Sequence, residues 1–386
     1  MDSTADYDVL IAGGGPVGGA LALALRESGL KLAVLETKAS DATRGDPRPL
    51  ALSYGTRLIL ERLGVWQLLG PTKPIARIHV SQRGGFGRVA LAASALQLPA
   101  LGYVLDYTRL AATVAGMLQG GWCDYLTATT MSGHRIAAGS ALVDLDMSGQ
   151  GRRSTARLVV IADGGTQSGM DEMRTVDYGQ VALTARVASP AKSEDIAYER
   201  FTPEGPLALL PSADGFALVW TTTPQRAQQL CAAPEAEFLF ELKRAFGERL
   251  GDFTGAEQRA AFPLALRIAR KITAPRTVRI GNAAQTLHPV AGQGLNLGLR
   301  DAWELATELR RHRPGDIGAE ELLRAYAARR RLDRAGGIWF THNLVRIFST
   351  ELAPLKLART FGLAALAAVP PAQDFLARRM TFGARG

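Results

Sequence analysis

The feature that most constrains the fold is a glycine-rich turn at residues 13–18, with the spacing Gly-x-Gly-x-x-Gly. It follows a short apolar run, Tyr7–Ala12, of the kind that forms a buried parallel strand. The Ala- and Leu-rich segment Gly19–Glu27 predicts a helix packed against a sheet, and Lys31–Glu36 predicts a second parallel strand. Together these elements predict a Rossmann-like βαβ unit.

Three glycines of this turn have predicted tasks. Gly13 permits the tight turn, Gly15 lets the backbone approach a pyrophosphate, and Gly18 allows the helix to pack closely on the strand. The helix N-terminus then offers N–H groups and a partial positive charge to the phosphate. Glu36 ends the second strand, where a carboxylate accepts hydrogen bonds from ribose hydroxyls. The turn predicts a dinucleotide cofactor, but it does not distinguish NAD from FAD.

A second glycine-rich segment distinguishes the two cofactors. Residues 281–296 read GNAAQTLHPVAGQGLN, after a predicted strand at Thr277–Ile280 and before a predicted helix from Leu297 onwards. Glycines let backbone N–H groups approach the edge of a flat ring, and the helix directs its positive end there. Reduced flavin carries negative charge at that edge, so the segment favours FAD.

This segment resembles the second FAD fingerprint of the flavoprotein monooxygenases, GDAxHxxxPxxGxGxN. Asn282 stands where the family normally has Asp, but an amide oxygen still accepts a hydrogen bond from a ribityl hydroxyl. The resemblance implies FAD contacts at Asn282, Pro289, Gly292, Gly294, Leu295 and Asn296.

A third motif begins at Asp163-Gly164, where the family has an Asp-Gly pair that serves FAD and nicotinamide binding and continues to a Ser and an Arg. This chain keeps Asp163, but Ser168 comes one residue late and the Arg is absent, so the motif does not indicate how NAD(P)H docks. By position, Arg48 and Arg109 are expected to contact FAD; the alternative is that they are solvated surface charges.

Further segments extend the resemblance over almost the whole chain, to the FAD-dependent hydroxylases of ubiquinone biosynthesis. These segments are Arg48–Ser53, Leu63–Trp66, Glu199–Thr202, Gly205–Ala208 and Phe262–Leu264. The amino-acid sequence of residues 281–289 is similar to that of the polyprenyl-methoxyphenol hydroxylases. The resemblance implies flavin C4a-hydroperoxide chemistry, in which NAD(P)H reduces FAD and oxygen from O2 is delivered to an activated phenol ring.

Other interpretations stay open. A sister hydroxylase would act at another ring carbon or on an unrelated aromatic. A flavin-binding scaffold subunit of a quinone-synthesis complex would have no turnover, and a nicotinamide-only dehydrogenase would leave residues 281–296 unexplained. Two residues near the expected flavin are weak catalytic candidates: His288, alternatively a structural histidine, and Gln293, alternatively a turn residue. No arrangement in the sequence predicts a protein nucleophile.

Composition limits the partners. The formal charge is +9, but no nucleic-acid motif accompanies it, so anionic lipid, acidic ligands or partner enzymes are favoured over nucleic acid. Cys123 and Cys231 form no CxxC and the histidines form no ligand pair, so no protein-bound metal is expected. Nothing resembles a signal peptide or a spanning segment, which predicts a cytoplasmic protein.

The C-terminal segment Leu355–Arg379 is apolar with basic ends. Such a segment suits the membrane surface that holds polyprenyl substrates, and predicts peripheral attachment to the inner face of the cytoplasmic membrane. The alternatives are an ordinary helix that covers the core and a docking surface for other ubiquinone-synthesis enzymes.

The predicted fold class is α/β (α+β overall): a Rossmann-like FAD-binding domain, an inserted and mostly antiparallel β-sheet substrate domain, and a helical C-terminus with breaks near Gly336, Pro354 and Pro370. The β-rich pattern between about 180 and 265, with one helix at Glu237–Phe246, separates nucleotide-binding elements at both ends of the chain. The FAD-binding domain is assigned to residues 1–75, 100–178 and 275–386, and the substrate domain to 76–99 and 179–274.

Overall fold

The structure is a computed structural model that describes residues 5–39, 48–85, 87–137, 139–165, 173–191, 194–312, 315–348 and 353–384. Ser168 of the third motif lies outside these residues. The helices are α1 (Pro16–Leu25), α2 (Tyr54–Arg62), α3 (Tyr107–Leu118), α4 (Pro224–Ala232), α5 (Glu235–Phe246), α6 (Gln293–Arg311), α7 (Glu320–Phe348), α8 (Ala353–Ala368) and α9 (Pro370–Phe382).

The strands are β1 (Tyr7–Ala12), β2 (Leu32–Leu35), β3 (Pro49–Ser53), β4 (Lys73–Ile75), β5 (Arg77–Gln82), β6 (Arg88–Ala92), β7 (Gly102–Asp106), β8 (Asp124–Leu126), β9 (Thr129–Ala137), β10 (Ser140–Met147), β11 (Gln150–Ile161), β12 (Met173–Ala188), β13 (Ile196–Thr202), β14 (Gly205–Ser212), β15 (Gly215–Thr222), β16 (Gly255–Ala269), β17 (Thr273–Ala274), β18 (Thr277–Arg279) and β19 (Gln285–Thr286).

The first sheet carries the nucleotide-binding turn. Its strands β18, β11, β1, β2 and β8 lie side by side in that order and run parallel, and β17 adds an antiparallel edge. A β9–β10 hairpin pairs antiparallel with β11. Strand β1 is apolar on both faces because helices and strands cover both, and Val9, Leu10 and Ile11 are fully buried. The glycine turn therefore begins at the carboxyl edge of a central strand.

The second sheet has the order β19-β16-β12-β15-β14-β13-β5-β6, in which every neighbouring pair is antiparallel except β13 and β5. A third sheet, β3-β7-β4, is antiparallel. This mixed α/β architecture with a helical C-terminus confirms the predicted fold class. The domain boundaries stay a prediction; β12 runs across the one placed after residue 178.

Several helices differ from the sequence pattern, and α6, for example, begins at Gln293 rather than Leu297. Helix α1 begins at Pro16, a residue that suits the first helical turn, and ends at Leu25, two residues before the predicted Glu27. The break predicted near Gly336 is wrong: α7 continues through it, since a helical glycine costs only about 1 kcal/mol against alanine and packing on α6 offsets this. Helix α4 was missed, although Thr223 and Pro224 form a usual N-terminal signal, with the Thr223 hydroxyl accepting from the Arg226 N–H.

Candidate active site

The two glycine-rich segments, far apart in sequence, lie against each other. A Cβ added to Gly281 would lie 3.1 Å from a Val17 methyl carbon. One added to Gly298, on the first turns of α6, would lie 2.9 Å from the other Val17 methyl carbon and 3.1 Å from the Gly281 Cα. Glycine at these positions lets α6 and residue 281 pack closely on α1, which brings both predicted cofactor turns to one place.

The first turn is built for close backbone approach. Gly13 has a φ of +120°, and an added Cβ would overlap the carbonyl of Ala162 at the end of β11. A Cβ on Gly18 would overlap the carbonyl oxygen of Gly13. By contrast, a Cβ on Gly15 would meet only the Tyr107 hydroxyl, at 3.8 Å. Gly15 also precedes α1 without a side-chain cap, so this side of the helix N-terminus is open to an anion.

A cavity of about 970 Å³ begins at this turn. That volume lies at the upper end of the range for cofactor and ligand pockets. The cavity is lined by ten of the predicted FAD-contact residues: Gly13, Gly15, Glu36, Arg48, Asp163, Asn282, Pro289, Gly292, Gly294 and Leu295. These residues line one cavity, as they must if the three sequence motifs bind a single FAD.

Glu36 lies at the end of β2, where its Oε1 accepts a hydrogen bond from the Lys38 N–H at 3.0 Å. Tyr125 lines the same end of the cavity. Burial, and secondarily the Glu36 carboxylate, raise the pKa of Tyr125 to about 12, so this tyrosine is neutral. The Glu36 end of the cavity therefore offers a carboxylate acceptor and a neutral phenol, which suit the hydroxyls of a ribose.

The third motif, which begins at Asp163, lies against the second glycine-rich segment, residues 281–296. The Asp163 carboxylate accepts a hydrogen bond from the Gly165 N–H at 2.9 Å, which closes a tight turn after β11. Gly165 has a φ of +85°, and a Cβ there would lie 3.0 Å from the carbonyl oxygen of Asn282. Asp163 and Asn282 thus border the cavity from adjacent loops.

Three predicted contact residues do not border the cavity. Gly18 lies beneath the turn. Asn296 is buried and fully engaged by backbone: its Oδ1 accepts from the Ser53 N–H at 2.8 Å, and its Nδ2 donates to the Ala51 and Gly292 carbonyls at 2.9 and 2.6 Å. Arg109 is exposed and donates to the Pro71 carbonyl. The geometry therefore shows Asn296 joining the second segment to β3, and direct FAD contact by Asn296 or Arg109 stays a prediction.

The two weak catalytic candidates also lie off the cavity wall. His288 is fully buried, its Nδ1 accepts from the Val290 N–H at 3.1 Å, and its ring meets Tyr178 edge-on. Burial lowers the pKa of His288 to about 4, so the imidazole is neutral. Gln293 is buried and donates a long hydrogen bond, 3.5 Å, to the Met380 carbonyl of α9. These contacts support structural roles for both residues.

The sequence patterns missed one candidate, Glu199 on β13, which borders the cavity on the face of the second sheet. The signal was present: Ala197, Glu199 and Phe201 occupy alternate positions of β13 and share one face, so an acid stands in an otherwise apolar row. Burial raises the pKa of Glu199 to about 7.

The residues present fit FAD. Glycines hold the backbone close to where a pyrophosphate would lie, Glu36 ends β2 as a ribose acceptor, and α6 starts beside Gly292 with its N-terminus at the cavity. In the part of the chain that the structure describes, no group of three or more His, Cys, Asp or Glu side chains is placed to hold a metal ion. Nor does any described helix have the length and apolar character needed to cross a membrane.

Fold and site together define an FAD-binding flavoprotein, and the chain matches the FAD binding domain family over residues 6–336. It is 35% identical to ubiquinone hydroxylase UbiL of Rhodospirillum rubrum, over 96% of this chain and 88% of the relative. It is 32% identical to 3-demethoxyubiquinol 3-hydroxylase of Escherichia coli, over 93% and 94%. The chain therefore belongs to the FAD-dependent monooxygenase family of ubiquinone biosynthesis.

Solved structures show the same fold. p-Nitrophenol 4-monooxygenase PnpA of Pseudomonas putida superimposes with a TM-score of 0.78 at 16% identity, over 98% of this chain and 99% of that one. PqsL of Pseudomonas aeruginosa, described as a probable FAD-dependent monooxygenase, gives 0.75 at 22% identity, over 92% and 99%. The family assignment confirms the predicted FAD-dependent monooxygenase, with FAD as cofactor and NAD(P)H as the typical reductant of the family, and excludes the nicotinamide-only dehydrogenase.

Proposed function

We propose that the enzyme hydroxylates the ring of a polyprenyl-methoxyphenol in ubiquinone biosynthesis. The observation that carries this proposal is that the cavity does not end where a flavin ring would lie. It continues across the second sheet and under the C-terminal helices as an apolar space. The names of the relatives, which are ubiquinone-ring hydroxylases, support a phenolic quinone precursor as the substrate.

The distal part of the cavity has the lining that an isoprenoid tail requires. Helices α7, α8 and α9 contribute Phe340, Leu344, Phe348, Leu363, Leu366, Leu376 and Met380. Phe201 of β13 stacks on Phe348 with ring centroids 3.7 Å apart, which joins the helices to the sheet. Burying a tail here contributes about 0.8 kcal/mol per methylene, so several isoprene units would bind strongly without polar contacts.

The protein's part in the chemistry is placement and exclusion of water. Bound FAD, reduced by a nicotinamide, supplies the activated oxygen for an electron-rich ring. Gly292 and Gly294, with the N-terminus of α6, offer positive potential at one side of the cavity. Arg48 borders the same space, with its guanidinium 5.5 Å from the Tyr107 ring centroid and 5.3 Å from that of Phe262. The apolar walls keep water from the reactive centre.

The deciding experiment is mass spectrometry of quinone precursors in cells with and without the gene, combined with turnover of the purified protein. We expect a prenylated methoxyphenol to accumulate in the deletion strain, and its hydroxylated product to form with NAD(P)H and O2. Accumulation of a precursor that lacks a different ring oxygen would assign the sister reaction instead. Flavin-containing protein that turns over no prenylated phenol would contradict the proposal.

We further propose that α7–α9 rest on the inner face of the cytoplasmic membrane. Large apolar side chains are exposed there: Leu332, Trp339, Ile347, Phe361, Val369 and Phe375. Adjacent faces of the same helices line the apolar cavity, so a polyprenyl substrate would pass from lipid to cavity between them. The alternative partners for this surface are other ubiquinone-synthesis enzymes. Protein-free lipid vesicles distinguish the two, because binding to them requires no partner enzyme.

Phe375→Ser is expected to weaken binding to vesicles of phosphatidylethanolamine and phosphatidylglycerol about tenfold. Phe375 is 66% exposed on α9, and inserting a phenyl ring into lipid is worth on the order of 1.5–3 kcal/mol. Co-sedimentation measures the effect. Phe240→Ser is the matched control, because Phe240 is 64% exposed on α5, outside the C-terminal helices. Equal binding by both variants and the wild type would rule out this orientation.

A further inference from the structure

Glu199 lies near the centre of a row of residues that are paired across neighbouring strands of the second sheet. Directly opposite it are Ala208 on β14 and Val80 on β5. The row continues through Val219 to Thr184 on one side and to Val89 on the other. All six residues of this row line the cavity. The row therefore forms part of the floor on which a substrate ring would lie.

Two members of this row are polar, Thr184 and Glu199. Thr184 lies three strands from Glu199, which at about 4.8 Å per strand is roughly 14 Å. A group at that distance cannot touch a ring that contacts Glu199. Along β13, the positions two residues before and after Glu199 are Ala197 and Phe201, so apolar side chains surround the carboxylate. Glu199 is thus the single acid–base group at this place among the described residues of the floor.

The Glu199 carboxylate has no polar partner in the part of the chain that the structure describes. Among the described residues, no side chain or backbone group forms a hydrogen bond or an ion pair with Glu199. A carboxylate that is desolvated and unpaired is unfavourable unless it meets a ligand or takes up a proton. Glu199 faces the cavity and no described protein group engages it, which indicates a role toward whatever occupies the cavity.

Charged groups nearby are separated from Glu199 by the sheet or lie elsewhere in the cavity. On the other face of the sheet are Arg88, Tyr198, Arg200, Arg249 and His79. Burial, and secondarily Arg249, lower the pKa of His79 to about 4, so it does not change charge near neutral pH. The other titratable residues that line the cavity are Glu36, Lys38, Arg48, Tyr107, Tyr125, Asp163 and Tyr198, and the Tyr198 ring packs against Phe216 and Phe246. The residues of α7–α9 that line it carry no titratable group.

We propose that Glu199 is the catalytic base that accepts the proton of the substrate's phenolic hydroxyl. This inference rests on the proposed function, because it requires a phenol in the cavity. A phenolate ring is far more electron-rich than a phenol, so removing this proton activates the ring toward an electrophilic oxygen. A base must change protonation near the working pH to do this well, and desolvation gives Glu199 a pKa of about 7.

The proton balance closes over one turnover. The phenolic O–H bond breaks, its electron pair stays on the substrate oxygen, and the proton goes to a Glu199 carboxylate oxygen. The oxygen atom that reaches the ring carbon comes from O2, with the reducing equivalents supplied by NAD(P)H. The O–O bond breaks as this new C–O bond forms. When the ring becomes aromatic again, the hydrogen of the attacked carbon leaves as a proton and is taken up by the second oxygen atom of O2, which ends as water. The phenolic oxygen takes back its proton from Glu199, which is ready for the next turnover.

Glu199→Gln is the direct test, with a geranyl-substituted methoxyphenol as the probe substrate. We expect kcat at neutral pH to fall roughly 100-fold, with KM changed less than about threefold, because the amide fills the same space but accepts no proton. The wild-type kcat should fall about tenfold per pH unit below pH 7, and the variant should lack this dependence. A fluorinated analogue of the probe, already ionised near neutral pH, should reduce the difference between the two enzymes to less than about threefold.

Stability provides a readout that is independent of turnover. Burial in the folded protein raises the pKa of Glu199 from its ordinary value of 4.5 to about 7, so wild-type stability should fall relative to Glu199→Gln as pH rises through that window. The variant should therefore be at least as stable as the wild type above neutral pH. Glu257→Gln, at an exposed acid on β16, is the charge-matched control and should keep wild-type kinetics.

The outcomes separate the two proposals. If wild-type enzyme neither binds nor hydroxylates the probe, the proposed function fails. If the wild type hydroxylates the probe but Glu199→Gln keeps its rate and its pH profile, the base is another group. A variant that loses activity equally with the phenol and with its ionised analogue would have a structural defect, and this outcome would also overturn the proposal.

Discussion

Purified Gly18→Ala protein is expected to bind FAD about ten times more weakly than the wild type and to lose flavin during purification. Any Cβ at this position overlaps the carbonyl oxygen of Gly13, so α1 must move away from the turn. Overpacking of this kind typically costs about 1–3 kcal/mol, and here the displaced helix N-terminus is the predicted pyrophosphate site. A loss of about 1.4 kcal/mol in binding corresponds to about tenfold in affinity. The ratio of flavin to protein absorbance measures the result.

Gly116→Ala is the matched control, since it adds the same methyl group where no heavy atom lies within 4 Å. Gly116 is exposed in the last turn of α3, so alanine there should stabilise the protein slightly and leave the FAD content unchanged. Full FAD occupancy in Gly18→Ala would show that the opening turn does not hold the cofactor.

The parts of the fold that sequence predicted well are those where local pattern and tertiary structure demand the same residues. Apart from Asp8, the run Tyr7–Ala12 consists of buried aliphatic and aromatic residues because β1 is covered on both faces, and its predicted bounds are those observed. Helix α7 shows the opposite case. Gly336 lowers local helix propensity, but long-range packing on α6 decides the outcome, and no window of sequence contains that information.

The candidate site divides in the same way. Glycine spacing predicted which turns would meet, because the sequence shows directly where the backbone packs too closely for a side chain. Side-chain direction was not visible. Asn296 points to the backbone of β3, and Glu199 faces the cavity only because β13 pairs with β5 and β14 in one register. A shift of one residue would have turned Glu199 to the other face.

A buried ionic network holds the second glycine-rich segment in place. Asp301 of α6 accepts hydrogen bonds from the Gly281 N–H at 3.1 Å and from the Gln285 amide at 2.8 Å. It also pairs with Arg330 of α7 at 2.6 Å, and Arg330 reaches Asp333 at 2.9 Å. The side chains of Asp301 and Arg330 are only 3% and 4% exposed. The network therefore connects the start of the FAD-facing loop to both long helices.

Asp301→Ala is expected to lower the free energy of unfolding by about 3–5 kcal/mol, because it leaves the Arg330 charge buried with one partner fewer. It also removes the acceptor for the Gly281 N–H, so FAD content should fall in the protein that remains folded. Denaturant titration measures the first effect and flavin absorbance the second. Glu320→Ala breaks the exposed Glu320–Arg324 pair on the same helix as Arg330 and should change little, since exposed ion pairs contribute little. Comparable stability of the two variants would mean that the buried network is dispensable and that apolar packing of α6 alone positions the loop.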